Sequence, residues 1–493
     1  MQSILASVQS PPRGTYARSR CVLLGHAICT LGGRRPPSLA RQGACGTSGA
    51  RVCSCQDLLM NVVGAASVDV TPSVGTTLAG YSREVGSIGV LDRLTASAFV
   101  VGDGVRRVCL ISVDTLGLAT PFADEVHFEV SETLGLPQHA VFVFATHTHS
   151  GPDCFGTDEA SREYMEGLRH ALLRAARTAS DSLRPCRITW SQIPTSIGVN
   201  RRERTSEGSV VMGVNPDGPV DRRLGSVQFT DPETSELLAT LLIATAHANV
   251  LQGDSNVVSA DYPGWSRGVL EQALGCPVLV VIGSAGNVNA RWRGSQRDLE
   301  RMARMVGGGV LEQVVGAEPS DAALAVRSAH EVLTIRLRPI PDVDEAAAMA
   351  AAAQKNWGQD ATSWLTKIDH LRSRGESVAT LSVEVAAFAL GGLVIGGVPL
   401  ETFSELALEA QDVLDNPHAY LCGYTNGYQG YLATEEEFHL GGYEVLWMPV
   451  VYGPVTGMLL PPAPSTASEV VDCFVRVARH LADSGSGTSA LDE

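Results

Sequence analysis

An α/β protein with mixed β-sheets flanked by helices is what this sequence predicts, and three observations predict it. Short apolar runs of strand length alternate with longer amphipathic stretches. Four of the short runs release a polar or ionisable residue at their carboxyl-terminal end. Hydrophobic residues make up 44% of the chain, enough for a large core, yet no apolar run reaches the roughly 18 residues of a membrane span.

The elements follow in order. The first clear strand begins at Met60-Asn-Val-Val. Ala140-Val-Phe-Val-Phe144 reads as a buried strand, and Ala145-Thr146-His147-Thr148-His149-Ser150-Gly151-Pro152 follows it. In an extended segment His147 and His149 point the same way, because side chains alternate with period 2. The Gly-Pro pair then turns the chain. Leu241–Ala246 is a second apolar run, ending in His247; Leu279–Ile282 is a third, ending in Gly283-Ser284-Ala285-Gly286-Asn287; Leu393–Val398 is a fourth, ending in Pro399-Leu400-Glu401. An isolated His-x-His suits turn histidines that cap carbonyls as well as it suits metal ligands. Four strands releasing such residues at one end favour a shared site, since open α/β sheets place ligands outside their strand ends.

Thr157–Ser182 reads as a long helix with Tyr164, Met165, Leu168, Leu172 and Leu173 as its buried stripe. Ser206–Asp221 is punctuated by Gly and Pro and is expected as a loop able to cover the pocket. Asp298–Ala317, the Ala-rich Asp342–Asn356 and Phe403–Leu414 are expected helices. Thr434 with Glu437 makes a capping box. Ser465–Asp483 closes the fold as an amphipathic helix with Val470, Val471, Phe474, Val475, Val477, Ala478 and Leu481 inward.

These residues resemble the neutral (non-lysosomal) ceramidases, amidases that use zinc. The hallmark THTHSGP stands at Thr146–Pro152. Leu78–Tyr81, Leu91–Leu94, Ala98–Val101 and Ser112–Asp114 look like that family's opening strands. Val199-Asn200-Arg201, Ala244–His247, Val258–Gly264, Pro399–Phe403, Tyr428–Glu436 and Gly442–Glu444 resemble later family segments in the right order, so the likeness runs from about Val62 to Pro454. Carried over, it implies a zinc site of His147, His247, Glu401 and Tyr431. It implies His149 beside the metal as proton donor, with Arg201 and Tyr443 holding the scissile carbonyl. A phenolate is an unusual zinc ligand, so Tyr431 in that role rests on the resemblance.

The chain departs from the family in two places. Where the ceramidases carry Gly-Asp-Val-Ser-Pro-Asn, this chain has Gly286-Asn287-Val288-Asn289-Ala290-Arg291. Asn289 replaces the serine, so attack by a metal-activated water is expected, with Asn287 and Asn289 able to donate to a substrate oxygen. Arg291 and Arg293 are added positive groups that can bind a carboxylate or phosphate, or line a solvated loop. A counterpart of the family's carboxyl-terminal β-sandwich is not expected after Pro464.

Charge and cysteines complete the reading. The net charge is −16, but residues 1–59 carry seven arginines against one aspartate, +6, which leaves −22 for the rest. An acidic body excludes nucleic acid as the expected partner. Residues 1–59, with Cys21, Cys29, Cys45, Cys53 and Cys55, are expected as a targeting segment, a disordered tail or an untranslated stretch before a true start at Met60, the last being favoured. Six scattered later cysteines suit a reducing compartment, hence the cytoplasm, with secretion or organelle targeting as the alternative. The organisation expected is an extension at 1–59, a catalytic domain at 60–483 and a disordered tail at 484–493. The function expected is zinc-dependent hydrolysis of an N-acylated, sphingolipid-like small molecule. A zinc hydrolase of soluble N-acyl compounds or esters and a non-catalytic binding homologue remain open, as does the oligomeric state.

Overall fold

The computed structural model describes residues 60–318 and 322–483. The expectations for 1–59 and 484–493 lie outside the described residues.

Ten α-helices and several sheets occupy the described residues. The largest sheet has eight strands in the order Val278–Ile282, Leu237–Ala244, Arg223–Thr230, Arg184–Pro194, Asn61–Asp69, Thr95–Gly102, Arg107–Val113 and Val141–Ala145. The two outermost pairs are parallel and those between are antiparallel. The sheet curls until its ends meet: Ser112 Oγ donates to the Val280 carbonyl at 2.6 Å. That closure brings the strands ahead of His147 and His247, distant in sheet order, to one place.

A four-stranded mixed sheet, Val326–Pro339, Val378–Leu390, Leu393–Gly397 and Ala419–Cys422, is covered by the Thr466–Asp483 helix. All seven inward residues expected of that helix are buried. Its last strand reaches the large sheet through a bridge between Cys422 and Gly283, and Ala145 N–H donates to the Tyr424 carbonyl at 3.0 Å. The chain after Ala419–Cys422 therefore runs directly beneath the two histidine strands.

The expected helices are present with shifted ends. Glu159–Asp181 starts behind an Asp158 cap, Gln296–Gly316 behind Ser295, and Val343–Trp357 behind Asp342. Thr434 caps the helix Glu435–Leu440 by accepting from Glu437 N–H. Three expectations need correction. Ser206–Asp221 is not simply a loop: Val210–Asn215 pairs antiparallel with Gly198–Arg204 as a hairpin, the turn residues having hidden a short exposed strand. Leu78–Tyr81 and Leu91–Leu94 are loops and not strands, although Leu78 bridges to Pro152. Asp261–Leu274, read only as a motif segment, is a helix whose Pro263 lies in its first turn, where no N–H is needed.

No helix among the described residues is long and apolar enough to cross a membrane. The six described cysteines are free and buried.

Candidate metal centre

The Val141–Ala145 strand ends one residue before the first threonine of the motif. His147 then adopts φ 61°, a left-handed conformation that costs a non-glycine residue about 1–2 kcal/mol. The two imidazoles thus do not line up along a pleat as expected. They converge through a turn, with rings at 86° and Nε2 atoms 3.4 Å apart. Asp261, Tyr424 and Asn426 also hold positive φ. Strained backbone of this kind concentrates at functional sites.

Hydrogen bonds fix each imidazole. His147 Nδ1 donates to the Leu116 carbonyl at 2.6 Å, and His247 Nδ1 donates to the Ala285 carbonyl at 2.7 Å. A carbonyl only accepts, so both Nδ1 atoms carry a proton, and in a neutral ring Nε2 then presents a lone pair. Those lone pairs face Glu401 Oε2 at 3.2 Å from His147 and 3.1 Å from His247. With both rings neutral, two lone pairs and a carboxylate oxygen meet at side chains no more than 1% exposed. A cation relieves that repulsion. Neutral imidazole and carboxylate are the donors a divalent transition metal takes. The ring nitrogens of His147, His149 and His247 lie within 4.8 Å of one another, so this buried cluster can hold a metal ion.

Electrostatics agree with neutral rings at His247 and His149. Burial, then the nearby Arg201 charge, pushes His247 down to about 4. Burial, then the neighbouring His147 and His247, holds His149 well below its ordinary value. Burial, then the Glu401 charge, raises the phenols of Tyr424 and Tyr428 well above theirs. Both stay protonated and donate to Glu401, Tyr424 to Oε2 at 3.2 Å and Tyr428 to Oε1.

Glu401 and Tyr431 sit on paired strands, Leu400–Thr402 and Gly430–Leu432. Gly286 lets the first of these approach: a Cβ there would lie 2.4 Å from the Glu401 carbonyl oxygen. Arg201 gathers the rest. Its Nη2 donates to Tyr431 Oη at 2.9 Å, its Nη1 lies 3.1 Å from His247 Nε2 and 3.4 Å from Asn289 Oδ1, and its Nε donates to Glu444 at 2.8 Å. Glu444 also accepts from Arg202 at 2.7 Å, and Arg202 pairs with Glu437. Tyr443 stands edge-on to Tyr431 with centroids 5.9 Å apart.

Eight of the residues singled out from the sequence, His147, His149, Arg201, His247, Asn289, Glu401, Tyr431 and Tyr443, therefore gather in one place. The two asparagines part company. Asn287 is committed to the scaffold, donating to Glu405 at 2.7 Å and accepting from Ser404 N–H at 3.0 Å. Asn289 accepts from Asn249 at 2.9 Å, but its buried Nδ2 has no partner. Cys154 is enclosed against Thr115, and burial pushes its thiol up to about 12. Ser284 Oγ is tied to Thr402 and to the Leu421 carbonyl, each at 2.7 Å.

Sequence reasoning missed Tyr424, Tyr428 and the support of His149. Gly80, φ 87°, lets the His149 ring pack on its backbone, since a Cβ there would lie 2.6 Å from Cγ. Tyr81 packs on the same ring at 5.0 Å, and Arg83 donates to the His149 carbonyl at 2.9 Å. The Leu78–Tyr81 segment was a signal for this, although its geometry was not.

Residues 61–278 match the family model described as neutral/alkaline non-lysosomal ceramidase, N-terminal. Among solved structures the chain is similar to the neutral ceramidase from Pseudomonas aeruginosa, with 19% identity over 86% of this chain and 74% of that one, at a TM-score of 0.61. It is similar also to a ceramidase complexed with C2, with 17% identity over 88% of this chain and 77% of that one, at 0.63. At these identities the likeness is one of fold. No curated protein matches the chain.

Proposed function

We propose that this chain, whose residues 61–278 match the N-terminal domain of the neutral/alkaline non-lysosomal ceramidases, is a zinc-dependent amidohydrolase that cleaves an N-acylated, sphingolipid-like substrate. One observation carries the reading: His147 Nε2 and His247 Nε2 converge on Glu401 Oε2, at 3.2 and 3.1 Å, with all three side chains buried. His147, His247, Glu401 and Tyr431 would hold the ion. Zinc bound there supplies a Lewis acid and lowers the pKa of water toward ~7.

The remaining residues have separable tasks. Asn289 Nδ2, buried and unpartnered, offers a hydrogen bond to the carbonyl oxygen as it gains charge. Arg201 fixes Tyr431 and His247, and with Tyr443 it orients the acyl group. His149, neutral and partly exposed before reaction, takes up the proton that the attacking water gives up and hands it on to the departing amine. Water adds to the acyl carbon, the C–N bond breaks, and acid and amine leave. The buried thiol of Cys154 and the engaged hydroxyl of Ser284 leave neither suited to attack, which supports water as the nucleophile.

The test is metal content together with hydrolysis of a short-chain fluorescent ceramide. About one zinc per chain and turnover that is lost on chelation and restored by zinc are expected. A metal-stripped protein that still cleaves the amide, or a zinc-loaded protein that cleaves no N-acyl compound, would sink the reading.

A further inference from the structure

The turn after the Val288–Ala290 strand is anchored at both ends. Arg291 N–H donates to the Ile197 carbonyl and Gly294 N–H to the Val250 carbonyl, each at 2.8 Å. Between them the two arginines are used differently. Arg291 is exposed and leans over the Trp292 ring at 5.3 Å, a ring that also receives Arg301 at 3.8 Å. Arg293 is half-buried and makes no hydrogen bond or ion pair among the described residues. The charged and titratable groups it feels are the Tyr81 phenol and the Arg201 guanidinium, and no carboxylate.

Tyr81 locates Arg293 relative to the chemistry, because the Tyr81 ring packs on His149 at 5.0 Å. Arg83 also lies over that ring, 5.5 Å from its centroid. Arg83 spends its donors on backbone carbonyls, those of Ala79, His149 and Ser255, each at 2.9 Å, and forms no ion pair among the described residues. Two half-buried guanidinium groups thus lie near the tyrosine that touches the proton donor; neither forms an ion pair among the described residues, and of the two Arg83 feels the Asp254 charge while Arg293 feels no carboxylate. This occurs in a chain with 53 acidic residues against 37 lysines and arginines. Keeping a positive charge partly out of water without a counter-ion is costly, and a bound anion removes that cost.

Building on the amidohydrolase reading above, we infer that the site selects substrates whose leaving amine bears an anionic group, a carboxylate or a phosphate, which Arg293 receives beside Tyr81 and His149. The planar fork of arginine suits either anion. Placed on the leaving side, the anion sets the amine nitrogen next to His149.

Non-cleavable sulfonamides test this apart from catalysis. N-octanesulfonylglycine, its uncharged counterpart N-octanesulfonylethanolamine and the O-phosphate of the latter are titrated calorimetrically into the protein, with N-octanoylglycine and N-octanoylethanolamine as matched substrates. An anionic ligand is expected to bind about tenfold or more tightly than the neutral one, with the advantage shrinking as salt rises. The better of the carboxylate and the phosphate identifies the anion. Arg293→Gln should bring the ligands to parity, and Arg293→Lys should retain part of the preference. Equal binding in the wild type, a preference that survives Arg293→Gln, or no binding by any of the three overturns the inference. Hydrolysis of both amides with no effect of Arg293→Gln would leave the amidohydrolase standing and the anion site refuted. Arg293-dependent anion binding with neither amide cleaved would do the reverse.

Discussion

Glu401 and Tyr431 are register partners across the short parallel pair of Leu400–Thr402 and Gly430–Leu432. Both side chains therefore leave the same face, and residues thirty positions apart reach His247 together, Glu401 at 3.1 Å and Tyr431 at 3.5 Å. The phenol also accepts from Arg201, which a simple packing role would not require. Glu401→Gln should abolish stoichiometric zinc, because the carboxylate charge facing both imidazoles is gone. Tyr431→Phe should keep the fold and weaken zinc by about 10–100-fold, the usual range for losing a supporting group around a metal. Competition with a chelating dye measures both. Wild-type zinc affinity in Tyr431→Phe would confine Tyr431 to holding Arg201.

The two histidines of the motif should not be equivalent. His147 aims Nε2 at Glu401, whereas His149 Nδ1 is enclosed without a partner and its ring rests on Gly80 and Tyr81. His147→Ala should lose zinc and activity together. His149→Ala should keep most of the zinc while turnover falls by something like 10²–10⁴, the range for a general acid or base. The deficit should be smaller on an activated ester, whose leaving group needs no proton. Equal zinc loss in both variants would make both imidazoles ligands and leave proton donation to another group, with Tyr443 next in line.

The sequence carried the site further than its surroundings. His147, His247 and Glu401 were legible because each follows an apolar run, and strand ends in such sheets converge. The meeting itself depends on closure of the eight-stranded sheet through Ser112 and Val280, a long-range event that no local pattern encodes. Tyr424 and Tyr428 could not be assigned for the same reason: their partner Glu401 is over twenty residues away on another strand. The left-handed turn at His147 was hidden by a stretch that looked extended. The hairpin at Gly198–Arg204 and Val210–Asn215 was hidden by turn residues that a short exposed strand tolerates.

A polar chain ties the site to the second sheet and should respond to pH. His330 Nδ1 donates to Glu384 at 2.7 Å, Glu384 accepts from Asn426 Nδ2 at 2.9 Å, and Asn426 Oδ1 accepts from His127 Nε2 at 3.0 Å and from Val143 N–H at 2.9 Å. Asn426 lies between Tyr424 and Tyr428. The hydrogen bond to Glu384, opposed by burial, raises His330 above 6.5. Burial would raise Glu384, but its bonds to His330 and Asn426 prevail and hold it below 4.5. The His330 contribution is thus complete below about pH 6.5 and lost as pH rises through its raised value, while the Glu384 contribution is present above about pH 4.5 and lost on acidification. Glu384→Gln keeps the acceptor for Asn426 and removes the charge. Because the His330 side chain is 41% exposed, solvent screening limits the expected loss to about 0.5 kcal/mol near pH 5.5, fading toward pH 9. Chemical denaturation at the two pH values reads the difference. A penalty that grows with pH, or does not change, would refute the pairing.

The nucleophile should be water, and Asn289 is the reason. It stands where the resemblance places a serine, and an amide cannot attack an acyl carbon. Its free Nδ2 is instead suited to the developing oxyanion, and its Oδ1 is already occupied by Asn249 and Arg201. The other side chains nearby are poorly placed for the task. Cys154 stays a thiol at neutral pH, with burial raising its pKa to about 12, and Ser284 directs its hydrogen bonds to Leu421 and Thr402. Hydrolysis in isotopically labelled water should place one labelled oxygen in the acid, and single-turnover samples should contain no acylated protein. Asn289→Ala should lower kcat by roughly 10²–10³, the usual cost of one oxyanion donor, with zinc content unchanged. Asn289→Ser restores a hydroxyl at this position without the geometry of the resembled segment, so it should behave like the alanine variant and likewise form no adduct. An acyl adduct trapped on the wild-type protein, on any residue, would overturn the water mechanism whatever the rates of the variants.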